Sequence, residues 1–197
     1  MQVAAESVLC EIEGLRQKEK YLLIAIDGRC AAGKSMLAEH LQKACGCNVI
    51  HMDHFFLRTE QRSDKRLEEP GGNVDYERFL KEVLLPLRQG ETFSYRPYDC
   101  HKREMAEAIR IEPRPVNVIE GSYCCHPALF DKYDLRIFLT IDETKQLRRI
   151  RIRNGEMGAA MFQDHWIPLE ERYFSVFNIK ERCDLCFRAE EAYSRGD

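Results

Sequence analysis

Residues Gly28-Arg29-Cys30-Ala31-Ala32-Gly33-Lys34-Ser35 meet every fixed position of G-x-x-x-x-G-K-[ST], a pattern that only a few chain geometries can present usefully. The apolar run Tyr21 to Asp27 before it reads as a strand buried on both faces of a parallel sheet. After it, Lys34 to Cys45 carries Leu37, Ala38, Leu41 and Ala44 at helical spacing, with Gly46 as the stop. Strand, glycine loop and helix N-terminus in that order make a phosphate cradle. Backbone N–H groups wrap the anion, the helix adds its positive end, Lys34 supplies a point charge to the β/γ oxygens, and the Ser35 hydroxyl offers a ligand to Mg²⁺. The candidate nucleotide-binding residues run from Gly28 through Met36, with Arg29, Cys30, Ala31, Ala32 and Gly33 between. An ordinary glycine turn would match all fixed positions in roughly one chain of this length in a hundred.

The rest of the chain continues the alternation of strand and helix. Its 197 residues suit one domain, 1–197, with a core over 20–190. Residues 1–19 read as an amphipathic helix through Val8, Ile12 and Leu15. Val49 to Asp53, Val116 to Glu120 and Leu135 to Ile141 read as strands, and Leu185 to Phe187 as a last one. Arg58 to Asn73 is polar and ends in Pro70-Gly71-Gly72, so it reads as a loop, while Asp75 to Gln89 reads as a helix closed by Gly90. Phe93 to Tyr95 and Ala108 to Ile111 form a small hairpin on the substrate side. Such an order predicts an α/β three-layer fold with a mostly parallel, doubly wound sheet. Residues 146–165 form a helical lid with Gly155 and Gly158 as hinges, and Trp166 and Tyr173 pack a helix that begins near Pro168.

No N-K-x-D guanine motif follows the phosphate loop, and the signature segments and length of motor ATPases are missing, which leaves a small kinase. Ligands of doubly wound sheets sit beyond the carboxyl ends of the strands, so Asp27, Asp53 and Glu120, each closing a different strand, should converge there. Transfer to an alcohol needs one carboxylate to accept the hydroxyl proton and another to hold Mg²⁺ or its waters. Asp75 stands where a helix N-cap belongs, and its carboxylate could equally grip two vicinal hydroxyls; the two roles are compatible. Phe56 and Tyr98, beside the motif acids, are candidates for ring contacts with the acceptor or for packing. Arg149 and Arg153, four apart on one helix face, are candidates to balance charge on the transferring group.

The succession of this loop, His51-Met52-Asp53-His54-Phe55-Phe56, Gly72-Asn73-Val74-Asp75-Tyr76, Arg96-Pro97-Tyr98-Asp99 and Val118-Ile119-Glu120-Gly121 resembles the uridine kinase-like branch of the P-loop kinases, which includes phosphoribulokinases and pantothenate kinases. The resemblance spans roughly residues 20–190. It implies a P-loop NTPase fold and ATP-dependent phosphorylation of a 5′-type hydroxyl. It further implies Asp53 as general base, Glu120 and Ser35 at Mg²⁺, and Asp75 and Tyr98 on the acceptor. Uridine kinases continue after their Tyr-Asp with Phe and, a few residues on, a pyrimidine-reading His. This chain has Cys100-His101-Lys102-Arg103, so His101 comes earlier, and His101 and Arg103 are the acceptor-side candidates here. Downstream of the lid, Trp166 and Glu170 stand in the neighbourhood of the family's Gln-Tyr pair.

A formal net charge of −3 argues against a nucleic-acid partner, and the longest apolar run, Tyr21 to Ile26, is too short to span a membrane. The expectation is a cytoplasmic protein with a small-molecule substrate, and a homo-oligomer is compatible with it. Nine cysteines, an odd number, read as reduced thiols. Cys183-x-x-Cys186 has metal-like spacing but falls in an expected strand, where positions three apart face opposite sides. The leading expectation is a Mg²⁺-ATP kinase of a nucleoside. Its rivals are a kinase of a phosphosugar or pantothenate-like alcohol, and a nucleotide-binding regulatory protein without turnover, in which Asp53 would have no task.

Overall fold

Alternation along the first strand sets the layers. In the computed structural model, which describes residues 2–189, β1 (Leu22–Gly28) is buried along its whole length. Leu22, Ile24 and Ile26 pack on one side with Val8 and Ile12 of α1 (Gln2–Leu15) and Leu37 and Leu41 of α2 (Lys34–Cys45). Leu23 and Ala25 face the other side, with Phe79, Val83 and Leu87 of α3 (residues 76–89) and with Tyr173 and Phe174. Each fully buried Leu or Ile contributes about 2 kcal/mol relative to exposure, so these two cores carry the fold. Met1 and residues 190–197, the ends of the expected domain, lie outside the described residues.

The sheet also contains β2 (Asn48–His51), β3 (Val116–Glu120), β4 (Leu135–Thr140) and β5 (Leu185–Arg188), ordered β2-β3-β1-β4-β5 and parallel throughout. Register aligns their carboxyl ends: Glu120 lies opposite both Ile26 and His51, and Gly28 opposite Leu139. This is the expected three-layer α/β fold.

Several elements depart from the sequence reading. Strand β2 stops at His51, and Met52–Phe55 turns as a 3-10 helix, so Asp53 sits on a turn rather than closing a strand. The expected loop 58–73 contains a helix, Asp64–Glu68, whose cap Ser63 accepts the Arg66 N–H at 3.2 Å. The hairpin of Phe93–Tyr95 with Ile109–Ile111 forms, and a second ribbon pairs Tyr98–Asp99 with Glu104–Met105. The lid is α4 (Glu143–Met161), broken at Gly155 (φ 73, ψ 179), followed by a π-helical turn Phe162–Trp166 and α5 (Ile167–Phe177). Tyr173 is fully buried as expected, but Trp166 is only half-buried. Trp166 is the last residue of the π turn, and its ring lies edge-on to His165 at 4.6 Å.

No helix of the described residues is long and apolar enough to cross a membrane. Cys183 caps a short helix and Cys186 is exposed on β5. Among the described residues, Asp27, Cys124 and Cys125 form a group of three His, Cys or acidic side chains with ligand atoms within 4.8 Å of one another, and that carboxylate already has its partners, as described below.

Candidate active site

The phosphate loop leaves β1 at Gly28 and enters α2 through Gly33, which caps the helix in the left-handed region (φ 97). Lys34 is buried; its Nζ donates to the carbonyls of Gly28 (2.6 Å) and Arg29 (3.0 Å) and to Ser122 Oγ (3.3 Å). Ser35 is exposed at the first turn of α2 and donates to Glu120 Oε2 at 3.1 Å. The other Glu120 oxygen meets His51 Nδ1 at 2.5 Å, and this hydrogen bond raises the His51 pKa above its ordinary value.

Asp53 faces the same cleft. Gly121, at φ 137, follows Glu120, and a Cβ there would lie 2.9 Å from Met52 Cβ and 3.3 Å from Asp53 Oδ1, so only glycine lets the Asp53 turn approach β3 this closely. Asp53 is an exposed residue of its turn, and partial desolvation of its carboxyl is the largest influence raising its pKa. Glu120 and Glu170 push in the same direction, and Lys34 and His51 oppose them.

Only two of the three expected acids meet at the cradle, because Asp27 turns into the α3/α5 layer. It is fully buried and accepts N–H bonds from Gly28 (2.7 Å), Tyr123 (3.2 Å) and Cys125 (2.9 Å) and the Tyr173 hydroxyl (2.9 Å). Burial raises its pKa to about 6 in spite of those donors. With four donors around it, Asp27 fastens the segment after β3 to β1 and α5 and has nothing left for a ligand.

On the acceptor side, Asp75 is 4% exposed and caps α3: Oδ1 accepts the Arg78 N–H at 3.0 Å and Oδ2 accepts from Gln61 Nε2 at 2.7 Å. Gln61 Oε1 in turn accepts from the backbone and side chain of Arg58, both at 3.1 Å. The Arg78 guanidinium lies 4.1 Å over the Phe55 ring. Tyr98 is buried with its hydroxyl 3.3 Å from Thr59 Oγ1, and Phe56 is half-buried and bridges to Val74. His101 and Arg103 are exposed in the turn of the 98–105 ribbon, where Asp99 accepts the His101 N–H at 2.9 Å.

Both roots of the lid bind the loop interior. From α4, Gln146 Nε2 donates to the Cys30 carbonyl at 3.1 Å and Arg149 donates to the Ala31 carbonyl at 3.0 Å. From α5, Glu170 accepts the Cys30 N–H at 3.0 Å, and Glu171 pairs with Arg29 at 2.7 Å. Arg153 stays on the lid itself, bonded to Asn154 Oδ1 at 2.7 Å. Met36 is half-buried behind Ser35. The sequence reading missed His51, Gln61, Ser122, Gln146 and Glu170 as members of this network.

Ser35 Oγ and a Glu120 oxygen, neighbours at the mouth of the loop, form the hard oxygen pair that Mg²⁺ prefers, and the loop amides with Lys34 suit nucleotide phosphates. No family model matches the chain. Curated uridine kinases are similar to it: that of Chloroflexus aurantiacus is 26% identical over 151 residues, covering 71% of each chain, and that of Escherichia fergusonii is 27% identical over 161 residues, covering 74% of each. Among solved structures, a protein provisionally described as a uridine kinase from Bacillus stearothermophilus superposes with a TM-score of 0.65 at 17% identity, over 92% of this chain and 99% of that one. Another, provisionally described as a fructose transport system kinase from Silicibacter sp. TM1040, gives 0.66 at 22% identity, over 91% and 97%.

Proposed function

We propose that this chain belongs to the uridine kinase-like branch of the P-loop kinases and transfers the γ-phosphoryl group of ATP to a hydroxyl of a small acceptor, a nucleoside first among them. The observation that carries this reading is the placement of Asp53, held by the Gly121 approach beside Lys34 and the Ser35–Glu120 pair. A binding protein without turnover needs no carboxylate there. In the proposed reaction Asp53 accepts the acceptor's hydroxyl proton as the oxygen attacks phosphorus. Lys34 and the loop amides hold the phosphates, and Arg149 joins the lid to the loop. Ser35 and Glu120 are the residues that would hold Mg²⁺, which supplies charge neutralisation on the phosphoryl oxygens.

The alternative acceptor, a phosphosugar or pantothenate-like alcohol, draws support from Asp75. Both of its oxygens are already bonded within the protein, so a ribose diol would have to displace Gln61 to reach it. ADP release from Mg-ATP, measured against a panel of nucleosides, phosphosugars and pantothenate, tests both readings. Turnover with a ribonucleoside supports the first, and turnover only with another alcohol supports the second. Nucleotide binding without turnover on any acceptor overturns both.

A further inference from the structure

Glu170 is a charged side chain on the inward face of α5, 5% exposed, and the reaction proposed above gives it no task. Its two oxygens are directed at different partners: Oε2 accepts the Cys30 N–H at 3.0 Å, and Oε1 lies 2.6 Å from Ser122 Oγ. Ser122 in turn lies 3.3 Å from Lys34 Nζ. The direction of these bonds is set by the chemistry of the groups. A carboxylate only accepts, so the single Ser122 proton points to Glu170, and the Ser122 oxygen then presents its lone pairs to the ammonium, which only donates. The contact of Ser122 with the Gly28 carbonyl, at 3.5 Å, is too long to compete for that proton. The chain Lys34 to Ser122 to Glu170 thus has one polarity.

We propose that Glu170 is a positioning residue for the phosphate end of the nucleotide, acting through Ser122 on Lys34 and through the Cys30 amide on the loop. This rests on the nucleotide-binding reading of the loop. Without Glu170 the Ser122 hydroxyl loses the acceptor that fixes its proton and turns it toward the Gly28 carbonyl, which Lys34 also uses, and the buried Cys30 amide loses its acceptor. Both changes disturb the cradle where Lys34 meets the β/γ oxygens, so a nucleotide with a γ-phosphate suffers more than one without.

The test is equilibrium binding of Mg-ADP and of the non-hydrolysable Mg-β,γ-imido-ATP to wild type, Glu170→Gln, Glu170→Ala, Ser122→Ala and the double alanine variant, with thermal unfolding of each. Glu170→Ala and Ser122→Ala should weaken the imido analogue about tenfold and ADP by less. Glu170→Gln should fall between, because its one oxygen can serve Cys30 or Ser122 but not both. The double variant should bind no more weakly than Glu170→Ala alone, since the two act in series. Should Glu170→Ala fail to fold, Glu170→Gln and Ser122→Ala carry the comparison. Lowered melting with unchanged affinities, equal losses for both nucleotides, or additive losses would each overturn the proposal. A wild type that binds neither nucleotide overturns the nucleotide reading and this one with it, whereas normal wild-type binding with unmoved variants overturns this one alone.

Discussion

A carboxylate that takes a proton from an alcohol works best when its own pKa is lifted toward the working pH, and desolvation does this for Asp53. Asn at position 53 keeps the shape and removes the base. Asp53→Asn should therefore lower kcat about a hundredfold or more while the KM for ATP holds. Because only the ionised carboxyl accepts a proton, the wild-type rate should climb as pH rises through the raised Asp53 pKa, and that acid limb should vanish in the variant. Retention of the limb would assign it to another group. Glu120 differs in kind, since its oxygens face Ser35 and His51 rather than a proton to be moved. Glu120→Gln replaces a hard anionic ligand by a neutral amide, so the Mg²⁺ concentration for half-maximal rate should rise several-fold with little change in the acceptor KM. An unchanged Mg²⁺ titration would transfer the metal role to a different acid.

Among the elements, the lid is the one whose form depends on a single residue. Gly155 sits at φ 73 and ψ 179, a backbone region essentially closed to other residues, yet a Cβ there would meet nothing within 4 Å. The cost of Gly155→Ala, about 1–3 kcal/mol, is therefore conformational, and the chain can escape it by straightening α4 into one helix. Straightening would carry residues 156–166 away from their present course while Gln146 and Arg149 keep their grip on the loop. Helical content by circular dichroism should rise slightly, ATP affinity should hold, and kcat should fall about tenfold as closure is impaired; an unaltered kcat would show that the break does not orient the lid. The kink was legible as the Gly155 hinge, and α2 was legible to its last residue, because glycines, caps and periodicity are local signals. The helix Asp64–Glu68 was not, since its one apolar residue, Leu67, makes no stripe and is itself 39% exposed. Within the site, the phosphate loop was readable because eight consecutive residues carry it, whereas Glu170 and Ser122 meet Cys30 and Lys34 across 140 and 88 positions. A charged residue within the Tyr173–Phe174 stripe of α5 was the available signal for Glu170.

At the scale of the molecule, the candidate site joins pieces that the chain keeps far apart: the loop after β1, the turn after β2, the end of β3, and both roots of the lid. A ligand that bridges these pieces binds only the folded state, so it should stabilise the whole domain by mass action. At a concentration of one hundred times its Kd, Mg-ADP should add about 2.7 kcal/mol. For a domain of this size each kcal/mol moves the melting temperature by about 2–4 °C, so the rise should be about 5–11 °C. Lys34→Ala should lose most of that shift without a large fall in its own melting temperature, because among the described residues the Lys34 ammonium bonds to loop carbonyls and Ser122 and supports neither core. The same measurement sorts the acceptors without any need for turnover. An acceptor that docks against Asp53 adds a second bound ligand to the nucleotide complex, so a nucleoside or a phosphosugar that belongs to this site should raise the melting temperature further in the presence of Mg-ADP. If ribonucleosides add nothing and a phosphosugar does, the Gln61–Asp75 bond is part of the finished acceptor pocket and the nucleoside reading fails. If a ribonucleoside adds a shift that its 2′-deoxy counterpart does not, the diol has displaced Gln61, and the Asp75 carboxylate serves the substrate as well as the helix it caps.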